Sequence, residues 1–236
     1  EAHGDNQAIG YRIEDTYQNI NAEKGSDLLS NTKGLSETPG DDLRAIAETI
    51  DEAVALSQPV SNAKDVVQGG VISSYSVSSS ISSSDYKDLS VREFGAVNGA
   101  SNASSVKSKV TVLDDVDNIE KTAESIQLLK TLNPSNVHAT GATKADAVNM
   151  LTDKADTAGE VAGSFNLGQS VSQVDTLQEA SAIFAARNAP SVNNVDFVIQ
   201  SSEALVQTSS SGPFSVVDSL IANGPFANAK NVKITD

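Results

Sequence analysis

Cysteine is absent from this 236-residue chain, and tryptophan with it. The first absence excludes disulfides, thiolate metal sites and cysteine nucleophiles. It also accords with export of a bacterial chain that crosses compartments unfolded. Aromatics make up only 4% and hydrophobic residues 39%, the latter below the globular norm. Such an interior has to be built from Ala, Val, Ile and Leu, in thin layers rather than one thick globule. Basic residues are scarce too: 16 Lys and Arg face 31 Asp and Glu, a net charge of −15. Phosphate binding needs clustered Lys and Arg, so nucleic acid is not an expected partner, nor is an anionic lipid surface. The charge fits a solvated, self-repelling exterior, or one that recruits cations. No apolar run approaches the roughly 18 residues of a membrane span, so direct membrane insertion is not expected. The opening Glu1-Ala-His-Gly4 shows neither an initiator Met nor a signal-peptide pattern. A processed chain, or a segment of a longer one, is expected.

What is present is a short recurring phrase: an aromatic or β-branched residue, a polar one, an apolar one, a variable one, then two small hydrogen-bonding residues. It occurs as Tyr11–Thr16, Tyr75–Ser80, Val110–Asp115, Phe165–Ser170 and Phe214–Ser219, each followed by another apolar residue (Tyr17, Ile81, Val116, Val171, Leu220). Four of the ten aromatics open a phrase. Self-similarity of this kind signals units that bury an apolar face by stacking on their neighbours. The alternation at the start of each phrase predicts a short half-buried strand. The Asp, Ser, Thr or Gln at its end predicts an N-cap and a following helix. On this pattern Ile13, Val77, Val112, Leu167 and Val216 share one interior on neighbouring strands.

The third phrase leads the clearest helix, with Val116, Ile119, Ala123, Ile126, Leu129 and Leu132 at spacings of three or four and Pro134 as its stop. A second strand-like phrase reads Asn136–Thr140, Asn194–Val198 and Asn231–Thr235, with looser versions at Leu89–Val91 and Leu35–Thr38. Its Asn suits a left-handed corner. Second helices are predicted over Asp42–Val54 (Leu43, Ile46, Ala47, Ile50, Ala53 and Val54 on one face) and Thr143–Ala155 (Ala147, Val148, Leu151). Another opens at Asp175–Gln178, which resembles a capping box, and runs through Ile183 and Phe184. The Ser-rich second unit, Ser76–Ser84, reads as an edge-like strand followed by a loose stretch, and Thr208–Gly212 as a loop. Strands joined by helices favour parallel pairing. Neither Asn-Gly pair carries a hairpin: Asn98-Gly99 sits in a polar loop, and Asn223-Gly224 stops a helix.

Motifs of chemistry are missing: no nucleophile elbow, phosphate loop, zinc helix or dinucleotide fingerprint occurs. His3 and His138 lie far apart in sequence and suit surface roles. Asp15, Asp114, Asp115 and Asp218, which end phrases, are the candidate metal ligands. Units in register would set them in a row at one edge, where mutual repulsion calls for helix N-termini or cations. The plainer reading is that each caps its own helix. Ser79 and Gln169 at the equivalent positions favour that reading. The glycine- and aspartate-rich calcium nonapeptide is absent, as is the EF-hand spacing, so no cofactor is expected and only weak calcium binding stays open.

Tyr11-Arg-Ile-Glu-Asp-Thr-Tyr-Gln-Asn-Ile20, Phe214–Ser219 and Asn231–Thr235 resemble degenerate repeats of very large exported cyanobacterial and proteobacterial proteins. These are S-layer-like, adhesin-like or hemolysin-type exoproteins. The resemblance implies an extracellular or cell-surface location and an assembling, non-catalytic role, and it transfers no catalytic residues. The expected fold is α/β: an irregular repeat forming a solenoid-like stack of short, mainly parallel strands with intervening helices. Residues 1–109 would hold units one and two, and 110–236 units three to five. The expected function is a structural or adhesive segment that self-associates with further copies into a layer, filament or fibre. The alternative is a receptor- or glycan-binding module of a phage or cell-surface fibre.

Overall fold

A computed structural model describes residues 13–22, 43–58, 72–153, 155–190, 195–200 and 232–235. The fifth phrase with Val216 and Asp218, the loose phrase at Leu35, the loop at Thr208, Asn223-Gly224 and His3 lie outside them. The chain is α/β and divides into two compact units, Glu1–Thr111 and Val112–Asp236.

The first unit runs β1 (Ile13–Thr16), α1 (Tyr17–Ala22), β2 (Leu43–Ala47), α2 (Ile50–Ser57), β3 (Ile72–Val77), α3 (Val91–Gly99) and α4 (Ala103–Val106). The second runs β4 (Val112–Asp115), α5 (Val116–Ile119), α6 (Ala123–Leu129), β5 (Val137–Ala142), α7 (Lys144–Thr152), α8 (Ala158–Val161) and β6 (Ser164–Leu167). It continues with β7 (Gln173–Val174), α9 (Leu177–Ala185), β8 (Asp196–Gln200) and β9 (Val232–Thr235). The described strands form three three-stranded sheets, ordered β1-β2-β3, β4-β5-β6 and β7-β8-β9. Every pairing in them is parallel.

The first two sheets are built on one plan. Asp15 pairs in register with Ala45, and Ala45 with Tyr75. Asp114 pairs with Ala139, and Ala139 with Phe165. The aromatic of one strand therefore lies beside an alanine, and both alanines are buried. One face of each sheet is inward: Ala45, Ala47 and Val77 in the first, Val112, Val137, Ala139, Phe165 and Leu167 in the second. The other face, with Arg44 and Ile46 or His138, Thr140 and Asn166, is half-buried. The helices α2 and α3 pack on each other, as do α7 and α9. Phe94, Ile119, Ile126, Leu129 and Ile183 are the largest apolar side chains wholly enclosed.

Val77, Val112 and Leu167 are buried as expected, but the phrase strands do not neighbour one another. The second-phrase strands β2 and β5 lie between them, and Val77 belongs to a different sheet from Val112 and Leu167. The side chain of Ile13 lies outside the description.

At the outer strand of each plan, an asparagine completes the edge. Asn102 accepts from the Val77 N–H (3.0 Å) and donates to the Val77 carbonyl (2.8 Å). Asn188 does the same at Leu167, with distances of 2.7 and 2.9 Å. The preceding residues join in: Ser101 N–H donates to Tyr75 O, and Arg187 N–H to Phe165 O. One amide side chain thus substitutes for the backbone of a further strand.

Several local expectations are overturned. Asp42–Val54 is not one helix, because Thr49 caps α2: its Oγ1 accepts from the Glu52 N–H, and the Glu52 carboxylate accepts from the Glu48 N–H. The residues before that cap are left to pair as β2. The helix expected over 116–132 breaks in two, with Thr122 capping α6 and Ala123 exposed. At the break, the Glu120 carboxylate accepts from the Ala158 N–H at the start of α8. Leu89–Val91 is no strand; Ser90 and Glu93 form a capping box that starts α3. Asn98-Gly99 closes that helix instead of forming a polar loop, and a side chain at Gly99 would collide with the Tyr75 hydroxyl. Asn136 is not left-handed but ends a 3-10 turn. The box at Asp175 shifts by one residue, with Thr176 capping α9. In α7, Met150 rather than Leu151 faces inward. No helix follows the second and fourth phrases directly: turns occupy Ser79 and Gln169, so neither residue is a cap.

Truncating Leu167→Ala is expected to cost about 2–5 kcal/mol as a large-to-small core change. Asn188→Ala should cost about 1–3 kcal/mol, since it strands an N–H and a carbonyl on β6. Urea unfolding of each variant checks both values, and an unchanged midpoint for the asparagine variant would show that water replaces the clamp.

Candidate functional site

The strand-to-helix corners hold the acidic residues singled out in the sequence. At the first, Asp15 Oδ1 accepts from the Thr16 N–H (2.7 Å) and the Asn19 amide (2.8 Å). Thr16 Oγ1 in turn accepts from the Asn19 N–H, opening α1. At the equivalent corner, Asp114 Oδ1 accepts from the Asp115 N–H and from the Asn118 amide, each at 2.8 Å. Asp115 caps α5 by accepting from the Asp117 N–H at 3.0 Å. The Asn19 amide, and after it the Thr16 N–H, hold the Asp15 carboxyl below its ordinary value.

The carboxylates do not line up across a sheet. The in-register neighbours of Asp15 and Asp114 are Ala45 and Ala139, so the expected row is replaced by a small apolar step. Among the described residues no group of three or more His, Asp or Glu side chains is placed to hold a metal ion. Asp115 abuts Gly141 instead: a Cβ there would lie 1.9 Å from Asp115 Oδ2, and the glycine has φ +75°. Gly168 in turn approaches the Gly141 backbone so closely that its own Cβ would lie 2.6 Å from Gly141 O.

His138 and Ser164, on adjoining strands, share a hydrogen bond of 2.6 Å between Nδ1 and Oγ. The contact has the reach of a base and its nucleophile. Beside it in register stands the exposed Leu113, which supplies no acid to orient the imidazole. Neither residue lines either of the two grooves described next.

One groove of about 410 Å³ lies at the start of α7, between Ala142–Ala145 and Gln169–Gln173. Lys144 on its wall reaches Asp175 at 3.0 Å and Glu179 at 3.5 Å. Asp175 holds the ammonium above its ordinary value. Asp175 itself is held down by the Gln173 amide first and Lys144 second. The lysine is thus a tie between α7 and the β7–α9 corner. The other groove, about 400 Å³, runs between the start of α2 and residues 81–93. Glu48, Asp51, Asp85, Asp88 and Glu93 rim it over a floor of Ile50, Ile81 and Leu89, with Lys87 as the one cation in its lining.

Comparison of the chain with protein-family models, with curated proteins and with solved structures finds no match. Sequence reasoning missed the asparagines that brace the β1 and β4 corners and the β3 and β6 edges, and the Lys144 tie. A signal for the first existed in the shared order Asp-x-x-x-Asn-Ile, at Asp15–Ile20 and Asp114–Ile119. A signal for the second was Ala-x-Asn-Ala, at Ala100–Ala103 and Ala186–Ala189.

Asp115→Ala should cost about 0.5–2 kcal/mol as a lost cap, with no dependence on calcium. Gly141→Ala should destabilise the wild type but hurt the Asp115→Ala background less, because the carboxylate it strikes is gone. Thermal melts with calcium or with chelator distinguish these outcomes from a metal site. A second expectation concerns acid. Asp15 and Asp175 bind protons less readily folded than unfolded, so their contribution is full above the ordinary value of 3.8. It is lost as the pH falls through the depressed values. Lys144→Met should move the Asp175 titration part of the way back toward 3.8, with Gln173 retaining the remainder. A carboxylate NMR titration reads the shift.

Proposed function

We propose that this chain is a non-catalytic structural or adhesive segment of an extracellular surface protein, which self-associates into a layer, filament or fibre. The observation that carries this reading is the repeated plan of two sheets. The same Asp corner, the same alanine step, the same aromatic strand and the same asparagine clamp recur in each unit. Repetition of a supporting plan, with no shared reactive centre, suits a scaffold better than an enzyme. A solenoid-like stack is the arrangement this plan fits best: parallel strands that follow one another in chain order within each sheet. The sequence resemblance to S-layer-like, adhesin-like and hemolysin-type repeats supports the surface location.

The His138–Ser164 pair does not favour a hydrolase, since it stands on a half-buried sheet face beside Leu113, with no acid in register to orient the imidazole. The alternative, a receptor- or glycan-binding module, draws on the half-buried sheet faces, which display His138, Thr140, Ser164 and Asn166.

An acidic chain of net charge −15 repels its own copies. Screening cuts the reach of that repulsion to about 8 Å at physiological ionic strength. Association should therefore strengthen with salt or divalent cations. Light scattering and electron microscopy across a salt and calcium series test this. Open-ended particles are expected; a chain that stays monomeric throughout at high concentration would leave the binding module as the better reading.

A further inference from the structure

The two units also differ in length where their shared plan passes from the outer strand to the next capped helix. In the second unit eight residues separate Leu167 from Thr176; in the first, twelve separate Val77 from Ser90. The helix start is similar at both: Ser90 accepts from the Glu93 N–H, as Thr176 does from the Glu179 N–H, although the Glu93 carboxylate returns to the Ser90 N–H and that of Glu179 to the Asp175 N–H. The scaffold thus needs only the shorter link, and the extra length is free for another use. Insertions into one copy of a repeat fall in loops on one face, often the face that binds.

The longer link is a fixed turn with its hydroxyls displayed. Ile81 and Tyr86 are buried and anchor it, while Ser79, Ser80, Ser82, Ser83 and Ser84 are exposed. Two matching turns flank Ile81. Ser78 Oγ accepts from the Ser80 N–H and meets Ser80 Oγ at 2.7 Å. Ser82 Oγ accepts from the Ser84 N–H and contacts Ser84 Oγ. The middle residue of each turn, Ser79 and Ser83, is exposed, and its hydroxyl makes no hydrogen bond among the described residues.

We propose that Ser79 and Ser83 are acceptors for O-glycosylation. Their hydroxyls can align with a transferase base without breaking an existing hydrogen bond, which those of Ser78, Ser80, Ser82 and Ser84 cannot. A neutral sugar also suits the setting better than a phosphate. Asp85 and Asp88 follow within the same link, and a further dianion in a chain of net charge −15 would be repelled. Ile81 and Tyr86 point inward, so a sugar on the middle serines leaves the packing untouched. In the transfer, Ser Oγ forms a bond to the anomeric carbon of a nucleoside-diphosphate sugar. The bond from that carbon to the phosphate oxygen breaks, the nucleoside diphosphate leaves, and the hydroxyl proton passes to the transferase.

Intact-mass spectrometry of the protein purified from the organism that makes it tests the proposal, with fragment mapping of the serine link. The expected result is a mass increment of whole sugar residues at Ser79, Ser83 or both. The Ser79→Ala/Ser83→Ala variant, expressed in the same host, should lose the whole increment while keeping its thermal midpoint. A mass equal to the bare sequence, a phosphate increment, or sugar that persists in the double variant would each overturn it.

Discussion

Everything in the described fold hangs on how a short parallel strand hands over to a helix. A parallel strand ends far from where its neighbour begins, so the chain has to turn away and return. The first turn of the returning helix then brings backbone N–H groups with no partner within the helix. Here side-chain oxygens meet them within a residue or two of the strand end. Thr16 and Asp115 act directly after β1 and β4, and Thr49 and Thr143 shortly after β2 and β5. Behind the first pair stand Asp15 and Asp114, fixed by Asn19 and Asn118. One oxygen of each carboxylate is thus engaged in holding the chain's direction.

The thinness of the interior follows from the same economy. Strands of four to six residues offer two or three inward positions each, too few for bulky residues on every strand. Setting Tyr75 and Phe165 beside Ala45 and Ala139 lets one aromatic fill the width that two strands share. A chain with ten aromatics can furnish such a core only if their placement is regular.

The parts of this design that were legible in the sequence are those with a strong local signature. Parallel strands, the first and third strand-to-helix phrases, and the inward Val77, Val112 and Leu167 all follow from alternation and cap chemistry. The segment Leu43-Arg-Ala-Ile-Ala47 misled because its alanines favour helix and no β-branched run opposes them. Only the tertiary pairing with β1 and β3, together with the cap at Thr49, makes it a strand. The break between α5 and α6 was hidden for a similar reason. Its apolar spacing is helical throughout, and the interruption serves Ala158, whose N–H takes the Glu120 carboxylate from 38 residues away. The sheet order was equally out of reach, because second-phrase strands carry less information than the phrases they separate. At the candidate sites, Asp115 is a cap as its position suggested. The row of carboxylates failed because a register of strands, not a count of phrases, decides who stands next to whom.

The asparagine clamps bear on how such a chain can change over generations. A strand pairs through a run of backbone groups, and one inserted residue moves its whole side-chain pattern to the other face. Asn102 and Asn188 make the same connection with one side chain and one neighbouring backbone bond, so the links beyond them have little register to lose. Residues can be gained or shed in the links while the clamp stays in place. The unequal spacing of the phrases is what drift under that freedom would leave behind.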